Sequence, residues 1–381
     1  MKQSVDRILT THTGSLPRPE DLLELILAKD AGETVDEAAF SSCIRRAVGG
    51  VVARQVEAGI DVVSDGEQSK ISYATYVKDR MSGFGGEGKP LTAKDLMEFR
   101  EYSVGAVKRG LLYPLGVQPC CQGPIALKDT VALDTDLENF GAALEASNPH
   151  DTFMNAASPG VVAVFLDNAY YPSHEAYLEA LAEVLKVEYE AITQAGFLLQ
   201  IDSPDLAMGR HLKFAEQSVE EFRKIVALHI EILNHATAGI APEQMRLHLC
   251  WGNYQGPLNW DVPLEDILDL VLRARPDGLS LEGANPRHEH EWEVLAHADI
   301  PERKILIPGV IDSTSNFIEH PALVAQRIGR YAGIVGRERV IASSDCGFGT
   351  FAKFPQIDPK IAWAKLQTLA EGARLASAQL W

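Results

Sequence analysis

Arg246-Leu-His-Leu-Cys-Trp-Gly-Asn253 is an apolar run interrupted by one imidazole and one thiol, two positions apart. In an extended strand side chains i and i+2 lie on one face, so His248 and Cys250 aim at one point. Cysteine thiolate plus neutral imidazole is ligand chemistry that suits zinc. A lone His-x-Cys on an apolar strand is also ordinary core packing, so the metal reading needs further ligands. Two stand in comparable places: Glu282 ends Gly278-Leu-Ser-Leu-Glu, Cys346 ends Val340-Ile-Ala-Ser-Ser-Asp-Cys, and each precedes a glycine. A short apolar run closed by glycine is where a strand passes into a loop.

Working outward, short apolar runs predict eight strands near residues 8, 61, 119, 199, 247, 280, 307 and 341, with helical patterns between them. That alternation predicts an α/β fold, a (β/α)8 TIM barrel with the zinc site at the C-terminal ends of its strands. The chain reads as a single barrel domain over 1–381, and residues 80–112, rich in glycine and charge, read as an insertion over the barrel mouth. Helix starts are marked by Thr34-Val-Asp-Glu37 and Ser218-Val-Glu-Glu221, both written as capping boxes. Residues 126–195 read as mostly helical; Ser158-Pro-Gly160 starts one helix, and Pro159 at its first position favours helix over strand for the apolar Val161 to Leu166.

Other strand ends carry polar groups as well. The turn Thr13-Gly-Ser-Leu-Pro-Arg-Pro19 leaves backbone N–H groups for an anion, which makes Gly14 and Ser15 candidate carboxylate holders, though a plain turn fits these residues equally. Glu67 and Asp202 end two more strands and are candidate substrate contacts. Trp251, Asn253 and Tyr254 follow the metal strand, either lining a pocket or packing as core. All of these lie where such barrels keep their sites.

With 381 residues, 46% of them hydrophobic, the chain has enough apolar material for a large core. The formal charge of −18 argues against nucleic acid or an anionic membrane as a partner. No run of 18 uninterrupted apolar residues occurs, and the start lacks a signal-peptide core, so a cytoplasmic protein is expected. Five cysteines, an odd number, point to free thiols or metal ligands rather than a disulfide framework. The sequence is compatible with a homo-oligomer.

Cys250, Cys346 and Glu282 as anions and His248 as a neutral ring give a zinc site about one unit negative, a weak Lewis acid. Such a site suits holding a substrate thiol as a nucleophilic thiolate better than activating water. The implied reaction is alkyl transfer to sulfur by in-line displacement, between two small molecules: a thiol and an alkyl donor. Gaps of 32 and 64 residues between Cys250, Glu282 and Cys346 fit a barrel mouth better than a structural zinc loop.

At these residues the chain resembles the catalytic barrel of cobalamin-independent methionine synthase over nearly its whole length. The motifs are His12-Thr-Gly-Ser-Leu-Pro17, Ser64-Asp-Gly-Glu67, Gln122-Gly-Pro124, Gln200-Ile-Asp202, His248-Leu-Cys250, Glu282, Pro308-Gly-Val310 and Asp345-Cys-Gly347. The resemblance implies zinc on His248, Cys250, Glu282 and Cys346. It implies an amino-acid thiol, homocysteine, whose carboxylate meets Gly14 and Ser15 and whose ammonium meets Glu67 and Asp202. It also implies 5-methyltetrahydrofolate polyglutamate as methyl donor.

Three departures stand out. The length leaves no room for the second barrel of the family's full-length enzymes. Asp202-Ser-Pro204 replaces the family's Asp-Glu-Pro. Asp312-Ser-Thr-Ser315 occupies the catalytic Asp-x-His-Ser segment, so Asp312 and Thr314 take catalytic positions without the histidine that protonates the leaving group. His211, His288 and His290 are candidate substitutes. The segment Gly309 to Pro321 resembles the single-barrel epoxyalkane:coenzyme M transferases more closely, which implies the alternative of another thiol alkylated by a non-folate donor. A non-catalytic thiol- or folate-binding barrel is the third reading.

Overall fold

The His-x-Cys run is the fifth strand of a ring of eight. In the computed structural model, which describes residues 1–112, 116–354 and 357–381, the barrel strands are β1 (Leu9–Thr10), β2 (Val62–Val63), β3 (Asp151–Ala157), β4 (Leu198–Asp202), β5 (Met245–Leu249), β6 (Gly278–Leu281), β7 (Ile305–Ile311) and β8 (Ile341–Ser344). Their hydrogen-bonded order runs β1-β8-β7-β6-β5-β4-β3-β2, and every pairing is parallel. The seam between β1 and β2 has no ladder of its own. It is closed by the Asp61 N–H donating to the Thr10 carbonyl at 3.1 Å and by the Thr11 hydroxyl donating to the Val62 carbonyl at 3.0 Å. The fold is a (β/α)8 barrel.

One expected strand was misplaced. Cys120–Cys121 pairs antiparallel with Phe84–Gly85 in a separate two-stranded ribbon, outside the barrel. The third barrel strand is Asp151–Ala157, inside the stretch expected to be helical. Its run Phe153-Met-Asn-Ala-Ala157 is wholly buried and so carries no alternation, the usual appearance of a parallel strand covered on both faces. Ser158 then caps Pro159–Phe165, its hydroxyl accepting from the Val161 N–H, so the helix chosen for Val161 onward is present. Ser218 and Glu221 form the expected reciprocal capping box. The box at Thr34 does not form: the cap is Asp36, which accepts from the N–H groups of Ala38 and Ala39. A carboxylate two residues closer to the helix simply outcompetes the threonine.

The floor of the barrel is apolar, with Leu9, Ile305, Ile307 and Ile341 packed together and Met1 against them. Above it lies Arg246, 1% exposed, its guanidinium 4.1 Å from the Phe153 ring and donating to Thr11 Oγ1 and the His12 carbonyl. The long excursion between β2 and β3 carries helices Lys94–Glu98 and Arg100–Lys108. Asp95 ties it to the loop after β5, accepting from the Tyr254 hydroxyl at 3.0 Å and from the Leu258 N–H at 2.9 Å. No described helix is long and apolar enough to cross a membrane.

Candidate metal centre

The side chains of His248, Cys250 and Cys346 converge where β5 and β8 end, their ligand atoms all within 4.8 Å of one another. Cys250 Sγ lies 3.7 Å from Cys346 Sγ, and Cys346 Sγ lies 3.7 Å from His248 Nε2. All three residues are buried, at 3%, 3% and 6% exposure. A zinc ion about 2.3 Å from each sulfur at the tetrahedral angle holds two thiolates about 3.8 Å apart. The observed spacing is therefore that of the edges of a zinc tetrahedron, and it is far longer than a disulfide of about 2.05 Å.

Glu282 stands beside the trio rather than within it. Its carboxylate lies near enough to Cys250 for each to shift the other's ionisation; Oε1 accepts from the Trp251 N–H at 2.8 Å and Oε2 from Asn285 Nδ2 at 2.6 Å. Asp345, next to Cys346, fixes this loop by accepting from the N–H groups of Gly283, Ala284 and Asn285 at 2.8 to 2.9 Å. A side chain on Gly309 would meet Asp345 Oδ1 at 2.0 Å, so this approach requires glycine in β7. The electrostatics fit a cation. The hydrogen bond that the Cys250 thiol donates to Cys346, then burial, pushes that thiol well up, and burial followed by Cys250 does the same to Glu282. Burial drives His248 down to about 3, leaving the neutral ring a metal requires. His248 Nδ1 is buried without a partner among the described residues. The donors present suit zinc: two sulfurs and an imidazole nitrogen, with a carboxylate adjacent.

A second polar cluster faces the same space. Asp202 and His248 are paired in register on β4 and β5. Asn155 Nδ2 and Gln200 Nε2 donate to Asp202 at 2.9 and 2.7 Å, and both also reach the Thr13 carbonyl. Glu67 is 2% exposed with backbone φ of 54°, a left-handed conformation that costs a non-glycine residue on the order of 1 kcal/mol. Its Oε2 has no partner among the described residues. Burial, then the charge of Asp202, raises the Glu67 carboxyl, and burial raises Asp202. Two buried carboxyls with one unanswered oxygen form a pocket for a cation carrying N–H donors.

The Gly14 N–H is already donated to His12 Nδ1 at 3.1 Å. The Ser15 N–H has no acceptor among the described residues, and a side chain on Gly347 would meet Ser15 Oγ at 2.0 Å. Of the two proposed carboxylate holders, Ser15 has the free donor. Both clusters open into one cavity of about 680 Å³, whose wall includes Ser15, Glu67, Asp202, Asn253 and Tyr254 together with the metal trio.

Gly14, Trp251, Glu282, Asp312 and Thr314 do not line it. Trp251 lies behind the metal centre, stacked on His288 at 4.2 Å and donating to the Val262 carbonyl. The Thr314 N–H and hydroxyl both donate to Asp312 Oδ1 at 2.9 Å, closing a turn. Among the candidate histidines, His288 is clamped between Asp261 and Glu291, His211 is buried beside Asp261, and His290 is exposed; none reaches the wall. The sequence reading missed Asn155, because its strand was missed, and Tyr73 and Thr350, which carry no motif of their own. For Asn155 a signal existed: a polar residue inside a buried run that ends in Ser-Pro.

Comparison with known proteins agrees with this geometry. Residues 161–362 match the family described as cobalamin-independent synthase, catalytic domain. A methionine synthase of Thermococcus kodakarensis is 25% identical over 372 residues, covering 97% of this chain and 94% of its own length. One from Pyrococcus furiosus is 25% identical over 366 residues, covering 96% and 91%. Among solved structures, a B12-independent methionine synthase from Shewanella sp. W3-18-1 in complex with selenomethionine superposes with a TM-score of 0.75 at 20% identity, covering 98% and 99%, and shares the fold. With a family match over more than half its length and the His-x-Cys and Cys-Gly motifs at the ends of β5 and β8, this chain belongs to the cobalamin-independent synthase catalytic-domain family.

Proposed function

We propose that the protein transfers a methyl or other alkyl group to the thiol of a homocysteine-like amino acid, at a zinc ion held by His248, Cys250 and Cys346 with Glu282 beside them. The observation that carries this reading is that one cavity holds both a zinc-spaced donor set and a separate carboxyl pair suited to an ammonium. Zinc, when bound, stabilises a substrate thiol as thiolate at neutral pH without quenching its nucleophilicity.

The chain's own residues set the geometry around that sulfur. Glu67 and Asp202 receive the ammonium, which replaces their mutual repulsion with attraction. The Ser15 N–H receives the carboxylate. Asn155 and Gln200 hold Asp202 so that little reorganisation follows binding. The sulfur then attacks the donor carbon as the leaving group departs on the opposite side. Asp312 and Thr314 are assigned to shaping the loop after β7.

The test is donor-independent at its first step. Zinc-loaded protein mixed with homocysteine releases about one proton per chain on forming the thiolate, and Cys250→Ser removes both the zinc and that release. The second step adds methyltetrahydrofolate triglutamate and looks for methionine by mass spectrometry. Methionine absent from the Cys250→Ser control supports the folate donor expected from the resemblance. Proton release without methionine turns the donor toward a different electrophile. Absence of both zinc and proton release removes the reading.

A further inference from the structure

Helix Glu37–Glu57 sets Cys43, Arg46, Ala47, Gly50, Val51 and Arg54 on one face, at the three- and four-residue steps of a helical stripe. Together with helix Pro359–Leu380 and the turn after β1, that face borders a second cleft of about 350 Å³. Among the described residues it shares no lining side chain with the barrel-mouth cavity. Glycine inside a helix is about 1 kcal/mol less favourable than alanine, yet a Cβ on Gly50 would meet nothing within 4 Å. No packing contact requires glycine there. Its effect is a hollow on the helix face between Arg46 and Arg54, about two turns apart.

Three arginines line this cleft against one aspartate, in a chain whose formal charge is −18. Arg46 is held by Asp21 and by the Cys43 sulfur, 3.3 Å from its Nη2. Arg18 donates to the carbonyls of Glu67, Lys70 and Gly349 at 2.7 to 2.8 Å, and its Nε is buried without a partner among the described residues. Arg54 lies 4.3 Å from the Trp363 ring and forms no hydrogen bond or ion pair among the described residues. Glu57 stands near Arg54, and Asp65 and Glu67 near Arg18, but their carboxylates bond neither guanidinium. A guanidinium stacked on an indole has its plane fixed and its donor fork still open, which is the arrangement that grips two oxygens of an anion.

The geometry points to a binding site for a small phosphomonoester, its phosphate beside Gly50 between Arg46 and Arg54 and its organic part against Pro17, Pro359 and Trp363. Three guanidiniums and one carboxylate leave the lining two positive charges in excess, which matches a phosphate dianion. A bare phosphate fills only part of about 350 Å³, a volume at the small end of the range for organic ligands. The prolines and the indole add flat apolar surface that suits a ring. The negative charge of the rest of the chain disfavours extended polyanions, so a small ligand fits where a nucleic acid or an anionic membrane does not. The site does not depend on the proposed transfer to a thiol.

The test titrates adenosine 5′-monophosphate, adenosine and inorganic phosphate calorimetrically into the full-length protein at low ionic strength. The monophosphate is expected to saturate one site, inorganic phosphate to bind at least about tenfold more weakly, and adenosine not to bind, because the charged hydrogen bonds carry most of the affinity. Arg54→Gln is expected to weaken the monophosphate about 10- to 100-fold, the loss of one charge-assisted contact. Gly50→Leu fills the hollow and is expected to abolish binding while melting no lower than the parent, since it replaces glycine inside a helix. Arg100→Gln, on the wall of the barrel-mouth cavity, is expected to leave the affinity unchanged. Absence of saturable monophosphate binding in folded protein overturns the inference, as does binding that both Arg54→Gln and Gly50→Leu leave intact. Inorganic phosphate binding as tightly as the monophosphate overturns the assignment to a monoester.

Discussion

Cys250 and Cys346 lie 96 residues apart in the chain, yet their sulfurs sit 3.7 Å apart at the ends of β5 and β8. The hydrogen bond to Cys346 and burial raise the resistance of the Cys250 thiol to ionisation, because a negative charge there has no compensation. A divalent cation removes the obstacle. Zinc binding is therefore expected to raise the thermal stability strongly, by about 4 kcal/mol when free zinc exceeds its dissociation constant a thousandfold. Cys250→Ser and Cys346→Ser are each expected to abolish the zinc-dependent rise while leaving the metal-free melting temperature within a few degrees of the parent. Melts with and without chelator check this; an equal zinc response in both variants would place the metal elsewhere.

Asp345 is the second determinant of the centre, although it offers no atom to the metal. It collects three backbone N–H groups of the Gly283–Asn285 turn and so sets the position of Glu282. Burial, then the neighbouring Asp312 charge, raises its carboxyl, while the N–H donors oppose that shift. Asp345→Ala leaves these buried donors unanswered and is expected to cost on the order of 3 kcal/mol. Asp345→Asn keeps the shape but puts an NH2 where a charged oxygen accepted. It is expected to fold and to lower zinc affinity about 10- to 100-fold, which competition with a chromophoric chelator measures directly.

The barrel and the convergence of the candidate metal motif were legible because they rest on local chemistry. His248 and Cys250 announce themselves by strand alternation, and Ser158-Pro159 and Ser218 to Glu221 by helix capping. What escaped was the third strand. Phe153 to Ala157 is covered on both faces and lacks a period, whereas Cys120–Cys121 has glycine and proline punctuation and belongs to a separate two-stranded ribbon outside the barrel. Asn155, which orients Asp202, was lost with that strand. The apolar part of the cavity wall was illegible for a different reason. Leu91, Leu96 and Val107 face Phe165 and Phe351 only because the excursion folds back over the mouth, and sequence spacing carries no trace of such a pairing. Trp251 shows the converse case: next to the metal strand in sequence, it lies behind the site, on His288.

Thr314 occupies the position where the resemblance has a proton-donating histidine, but its hydroxyl is spent on Asp312 Oδ1 at 2.9 Å and it does not line the cavity. Thr314→Ala is expected to cost about 1 kcal/mol or less, the value of one hydrogen bond in a half-exposed turn. Transfer to a thiol should change by no more than roughly threefold, with an unaltered pH profile, because no proton passes through the residue. A much larger fall in kcat, with KM unchanged, would instead give Thr314 a role in the chemical step.

Glu67 combines three costs: burial, a left-handed backbone and the repulsion of Asp202. Its folded carboxyl is raised, as is that of Asp202, so the folded state holds protons that the unfolded chain has released. Above about pH 4, where unfolded carboxyls ionise, the unfolded state binds fewer protons than the folded one, and stability falls as pH rises through the window up to the folded values. Glu67→Gln removes one member of the pair. It is expected to stabilise the ligand-free protein at pH 8 by on the order of 1 kcal/mol and to flatten the decline of melting temperature between pH 5 and 8. The same variant loses the proposed partner of the substrate ammonium, so homocysteine binding is expected to weaken about 10- to 100-fold, while a des-amino thiol of the same length is unaffected. A variant that is both less stable at pH 8 and undiminished in homocysteine affinity would mean that the pair serves the barrel's packing rather than the ammonium. The opposing signs of the two expected effects distinguish a binding site held under electrostatic strain from an ordinary buried ion pair, whose loss lowers stability at every pH.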